Sequence, residues 1–383
     1  NITQTISMSS KDDFLFKKSA LMSTKSGKEI LKQGILREKG YKQFHKYNNN
    51  IEERFQDFTK RFLLSLHTQV ISDPNPSATM RKFVEETAST ELSLEDSKIS
   101  DVRARLSKPE LLADRVTRIL NSNFVKMTFP VLDALFDAAS LYYKQNVPNE
   151  TKNAIVDGHL IAIDLSEPMD RIIDKDEDLE FLDDYKLMNP YILEIAREKI
   201  SQGGDGMLRS FEEGFKDARI GQSIDAKLKM KPDSINEENM NGCYKKYRAI
   251  LGTTGRNMAL NMKPLSEIFN FGMAKAGESV GCGNEIQDAI KNGAIKTPSW
   301  PLYFFITTND VKKSFDLTMK KSEAYLNEAK LTLDMLPQDF DYKPFLEFLF
   351  LTVSHYNQYW YNDLNRRDLY PLLHKNLSLP LKI

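Results

Sequence analysis

Apolar residues recur along this chain every three or four positions, and few stretches show any other pattern. The clearest case lies between Ile51 and Val70, where Ile51, Phe55, Phe58, Phe62, Leu66 and Val70 share one helical face. Glu52, Glu53, Gln56, Asp57, Lys60 and Arg61 fall elsewhere on the same cylinder, so the stretch is an amphipathic helix. Ser72-Asp73-Pro74-Asn75-Pro76 stops it, because proline lacks the amide that a helix interior needs. Similar reasoning predicts helices over Ala78–Thr87, after Ser107-Lys108-Pro109-Glu110, from Thr128 and Pro130 to Val147-Pro148, after Gly203-Gly204-Asp205-Gly206, and from Ser234-Ile235-Asn236-Glu237 toward Leu251. A periodic segment with Val311, Phe315, Met319, Leu326, Leu333 and Leu336 follows. The last helix, over 342–364, is apolar nearly all round in its first half, which marks a buried central helix. Phe348, Leu349, Val353, Tyr356 and Trp360 are its expected core.

Only two runs read as strand, His159–Asp164 and Leu302–Thr307, and they could pair as one short ribbon. The fold expected is therefore all-α: a two-lobed multi-helix assembly with at most one short β-ribbon. The organisation read from the pattern is a basic segment at 1–50, an N-terminal helical lobe at 51–165 and a C-terminal lobe at 166–369. A proline-punctuated apolar tail at 370–383 is expected to lie extended.

Composition adds bounds. The 383 residues carry 53 basic and 54 acidic side chains, so no global field draws the chain to nucleic acid or an anionic membrane. Locally, Lys11–Lys46 is basic and Asp157–Asp184 is acidic, and both read as solvated faces. No apolar run is long enough for a membrane span. The chain begins at Asn1 rather than Met, and three glycosylation sequons start at Asn1, Asn149 and Asn376. Both features are compatible with a secreted protein. Cys243 and Cys282 each neighbour glycine and stand 39 residues apart, room for a helix and a return loop. In an extracytoplasmic setting they are expected to form one disulfide; two buried free thiols in a cytoplasmic chain are the alternative.

The chemistry-bearing motifs are sparse. Gly277-Glu278-Ser279-Val280-Gly281 has the spelling of a serine-hydrolase elbow, but helix-like sequence precedes it where a strand is required. Asp174-Lys175-Asp176-Glu177-Asp178 begins like a calcium loop and then fails at Leu179 and Tyr185. Asp133 and Asp137 lie one turn apart, as a metal or acid–base pair would, without a His or Glu partner in register. The five histidines form no zinc or di-iron spacing. Gly252-Thr253-Thr254-Gly255-Arg256 resembles a phosphate loop only loosely. Lys245, Lys246, Arg248 and Arg256, interleaved with Tyr244 and Tyr247, form a candidate anion or nucleic-acid face. Tyr356, Tyr359, Trp360 and Tyr361 form a candidate apolar-ligand lining.

The sequence therefore points to a non-enzymatic helical binding or interaction protein, with an apolar ligand or a protein as partner and with no catalytic residue, metal or cofactor expected. An RNA-binding nucleoprotein-like assembly protein, exchanging its C-terminal tail between copies, is the first alternative. A serine hydrolase using Ser279 is the second.

Overall fold

The computed structural model describes residues 35–122, 125–165, 167–174 and 180–377. Every α-helix or strand-type element among them is helical, so the chain is all-α. Seventeen α-helices lie in the described residues: α1 (Ile35–Asn48), α2 (Ile51–Ser72), α3 (Pro76–Thr87), α4 (Asp96–Leu106), α5 (Pro109–Ser122), α6 (Val125–Tyr142), α7 (Asn149–Asp164), α8 (Glu167–Asp174) and α9 (Leu182–Ser201). They continue with α10 (Asp205–Met230), α11 (Glu237–Cys243), α12 (Lys245–Met258), α13 (Leu265–Asn292), α14 (Trp300–Thr308), α15 (Val311–Leu331), α16 (Lys343–Arg367) and α17 (Tyr370–Lys375).

Both strand-like runs are helical. His159–Asp164 ends α7, and Leu302–Thr307 lies in α14. Short apolar windows carry too few residues to separate a strand from a helix: His159, Leu160, Ile161 and Asp164 are buried on several sides of α7, whereas α14 keeps an apolar Ile306 on its exposed side. Local caps set the helix starts more finely than the sequence signals did. The Asn75 side chain accepts from Ala78 N with Pro76 just inside α3, and Ser299 and Asp310 cap α14 and α15 likewise. Asn236, rather than Ser234, caps α11. Ser107 bonds back to Arg103 O instead of capping forward. Helix α6 runs through Pro130 rather than starting there, and α9 likewise contains Pro190. The tail read above as extended is helical over Tyr370–Lys375, with Leu373 buried.

The chain divides into two compact units. Among described residues, the first takes Phe44–Ser140 and Lys144–Leu208. Its spine is α2, whose Ile51, Phe55, Phe58, Phe62, Leu66 and Val70 are all buried. Phe58 meets Phe129 of α6 edge to face at 5.2 Å. Helix α7 packs on α9 through Gly158, where an added Cβ would stand 2.9 Å from Ala196 O. A side chain at that position would push the two helices apart.

The second unit takes the residues from Arg209 onward, with Leu141–Tyr143 and the described residues up to Gln43. Helix α13 is its axis, packed on α12, α15 and α16. In α16, Phe348, Leu349, Val353 and Tyr356 are buried as expected, and Trp360 is partly buried against the cluster of Phe305, Phe315 and Leu364. Close helix approach comes from glycines. An added Cβ at Gly255 would lie 2.5 Å from Phe269 O, and at Gly277 2.5 Å from Leu251 Cδ1. The glycines of the phosphate-loop-like and elbow-like spellings are thus packing residues within helices.

Candidate functional site

The strongest concentration of buried charge lies in the first unit, where α2, α6, α7 and α9 converge. Asp157 sits on α7 between Val156 and Gly158 in an otherwise apolar stretch, and only 1% of its side chain is exposed. Burial of a carboxylate demands partners. Arg54 Nη2 donates to Asp157 Oδ1 at 2.6 Å and Arg61 Nη2 to Oδ2 at 3.2 Å, while Lys199 Nζ stands 4.0 Å away. Helix α6 adds Asp133 and Asp137 one turn apart. Lys152 Nζ lies 2.7 Å from Asp137 and 3.8 Å from Asp133, and Arg54 Nε is 3.8 Å from Asp133. The Arg54 guanidinium also covers the Phe129 ring at 4.5 Å.

Four cations thus enclose three inward carboxylates, with Asp57 pairing Arg61 at the exposed rim. The hydrogen bonding is incomplete. Arg54 Nε and Nη1 and Asp133 Oδ1 are buried without a hydrogen-bond partner. Burial pushes the Asp133 carboxyl above its usual range although Lys152 and Arg54 pull it down. Burial likewise lowers Lys199, against the pull of Asp157. Asp133 and Asp137 were visible in the sequence as a pair. Arg54, Arg61, Lys152, Asp157 and Lys199 were not, since Arg54 and Arg61 reach Asp157 across 103 and 96 positions and Lys152 and Lys199 meet their carboxylates from other helices; the one local hint was Asp157 inside an apolar run. The acidic stretch itself is not simply a solvated face: Asp157, Asp164 and Asp184 are buried, and Asp184 is held by Arg105 at 2.7 Å and Arg115 at 2.8 Å. Residues 175–179 of the calcium-loop-like run lie outside the described residues.

The other predicted positions are spread through the second unit. Lys245 pairs with Asp217, Lys246 with Asp225 and Arg248 with Glu278, each within 2.9 Å, while Arg256 is in the last turn of α12. Tyr356 donates to Asn284 Oδ1 at 2.6 Å, Tyr361 bonds Asp316, and Tyr359 packs edge-on against Trp360.

Ser279 is fully buried in mid-helix, 2.9 Å from Ser322 Oγ and 3.0 Å from Asn357 Nδ2. No substrate reaches a hydroxyl so enclosed, and the strand-to-helix turn of an elbow is absent. The hydrolase reading therefore falls. The disulfide falls too. Cys243 and Cys282 are both free and buried, Tyr244 OH lies 3.7 Å from Cys282 Sγ, and burial raises both thiols well above their usual range. They are apolar core residues of one cluster with Trp300 and Tyr325. The disulfide-bonded, secreted chain expected above therefore has no bridge to support it.

No family model and no curated protein matches the sequence. Among solved structures, the chain is similar to the geranylgeranyl pyrophosphate synthetase of the archaeon Geoglobus acetivorans. Identity is 13%, the match covers 73% of this chain and 99% of that one, and the TM-score is 0.53. The likeness shows the fold: this chain has a multi-helix architecture that also serves an enzyme. That overturns the expectation of a non-enzymatic binding protein, which took an all-helical chain without a catalytic spelling to be a binding scaffold. Among the described residues, no helix is long and apolar enough to cross a membrane.

Proposed function

We propose that this chain is an enzyme acting on a phosphate or diphosphate ester, whose anionic group is held by Arg54, Arg61, Lys152 and Lys199. The observation that carries the reading is Arg54, with two buried guanidinium N–H groups lacking an acceptor beside a carboxylate that is itself buried. Leaving such donors unmade is costly, and phosphate oxygens match guanidinium geometry. The pyrophosphate in the name of the structural neighbour agrees with this chemistry. Fixed cations around a departing phosphate stabilise the charge that develops on it.

Diphosphates commonly travel with a divalent ion borne on one or two carboxylates. Asp133 and Asp137 are the carboxylates in position here, but Lys152 lies against both. This donor set does not fit a metal-borne diphosphate, so the charge falls to the four cations.

Calorimetry with inorganic pyrophosphate on the full chain tests the reading. Binding is expected in the wild type, weakened about ten-fold or more in Arg54→Gln, as loss of a charged hydrogen-bond donor implies. Melting of the variant above the assay temperature controls for folding. No pyrophosphate binding by the wild type, or equal binding by a folded Arg54→Gln, would sink the proposal.

A further inference from the structure

In the cation cluster of the first unit, unpartnered donors stand beside an unpartnered acceptor. Arg54 Nη2 is taken by Asp157, but Nε and Nη1 are buried donors without an acceptor. Asp133 Oδ1 is a buried acceptor without a donor. The protein does not close this gap itself. Arg54 Nε stands 3.8 Å from Asp133 Oδ2 and Lys152 Nζ 3.8 Å from Asp133 Oδ1, both beyond hydrogen-bond reach. Lys152 lies closer to Asp137, at 2.7 Å. Arg61 and Asp137 are partly exposed, so the cluster has a side open to solvent.

A group bound here must accept from Arg54 and donate to Asp133. A fully ionised phosphate has only acceptors and would set a second anion against Asp133. A phosphate that keeps one proton does both: its P–OH donates to Asp133 Oδ1 while its other oxygens accept from Arg54 Nε and Nη1. The charge agrees. Arg54, Arg61, Lys152 and Lys199 face Asp133, Asp137 and Asp157, with Asp57 on Arg61 only at the exposed rim. One positive charge is left inside for the ligand to neutralise. Burial, with Asp137 and Asp157 adding to it, pushes the Asp133 carboxyl upward against Lys152 and Arg54, which favours a proton held next to it.

We infer that the phosphate is held as its singly charged monoanion, with its P–OH donating to Asp133. The inference rests on the phosphate-site reading above and narrows its substrate class to a phosphate monoester or a terminal phosphate. A sulfate ester or an internal phosphodiester carries the same single charge but has no proton to give near neutral pH.

The test is calorimetry of the full chain with methyl phosphate and methyl sulfate, whose monoanions share shape and charge and differ in that proton. At pH 6 the wild type is expected to prefer methyl phosphate by about ten-fold or more, the scale of leaving a buried carboxylate against an acceptor. Between pH 7 and pH 8 its affinity for methyl phosphate should fall about ten-fold, since the free ester loses the proton at about pH 6. In Asp133→Asn the amide can donate to an unprotonated oxygen. The preference should then fall to about two-fold or less and the pH slope should flatten, while any slope from Lys199, which burial lowers, persists in the variant. Equal affinity of the wild type for the two esters, binding of neither, or an affinity flat from pH 7 to pH 8 overturns the inference without recourse to the variant. An undiminished preference in a folded Asp133→Asn overturns it as well. In each case binding of inorganic pyrophosphate by the wild type leaves the site standing, and failure of pyrophosphate to bind overturns the site and the inference together.

Discussion

Glu285 shows how one carboxyl can set the pH response of a helical core. It is buried on α13, its Oε2 accepts from the backbone N of Trp300 at 3.0 Å, and burial raises its pKa to about 8. Tyr244, Lys296 and Lys246 all pull that value down, and burial still outweighs them. The unfolded chain returns the group to the ordinary value of 4.5. Between those values the folded state holds the extra proton, so stability falls as pH rises through that window and levels above it. Glu285→Gln keeps a carbonyl acceptor for Trp300 N and loses the ionisation. The variant should be more stable than wild type at pH 8, by on the order of 3 kcal/mol, with little gain at pH 4.5. Urea unfolding at the two pH values measures this; an equal offset at both would show that Glu285 does not titrate in this window.

At the scale of elements, α13, α15 and α16 are pinned by a small polar node inside an apolar core. Asn357 Nδ2 lies 2.7 Å from Ser322 Oγ, 3.0 Å from Ser279 Oγ and 3.1 Å from Ser279 O. The node fits only because α13 offers Gly283 at the crossing, where an added Cβ would stand 2.0 Å from Asn357 Oδ1. Gly283→Ala should therefore cost about 1–3 kcal/mol by overpacking, mainly by displacing Asn357. Asn357→Ala removes the obstacle along with the hydrogen bonds, so the double variant should cost clearly less than the two single changes together. Strict additivity in a denaturation cycle would place the strain elsewhere. The same geometry explains why Gly277-Glu278-Ser279-Val280-Gly281 has the spelling of an elbow. Gly277 faces Leu251 and Gly281 faces Tyr244 and Tyr247, so helix packing demanded small residues at that spacing.

For the whole molecule, the two thiols report on global opening. Cys243 and Cys282 are 2% and 0% exposed and lie in one cluster of the second unit. Neither should react with a thiol reagent in the native state beyond the rate set by unfolding, and both should react in denaturant without prior reduction. Intact mass after alkylation checks this. A chain that yields no alkylated thiols in denaturant until reductant is added would restore the disulfide. The four cations of the first unit belong to this scale too, since Arg54 and Asp157 are 103 residues apart in sequence.

The amphipathic period by itself determined the helical class, the buried face of α2 and the core role of Phe348 and Leu349 in α16. Those are local properties: residues three and four apart share a face whatever the rest of the chain does. Caps were legible as types but not as positions, because Ser107 and Ser234 offer the same hydroxyl as a true cap and only backbone geometry selects among neighbours. The strand-like spelling of His159–Asp164 failed because a helix buried on several sides loses its polar stripe, and that of Leu302–Thr307 because α14 carries apolar Ile306 on its exposed side. Tertiary structure alone decided that Asp157 is enclosed by Arg54, Arg61 and Lys199, that Lys152 lies against both Asp133 and Asp137, and that the two cysteines are free thiols in one buried cluster. Contacts between separate helices leave no periodic trace in the chain, since they depend on which faces of those helices meet.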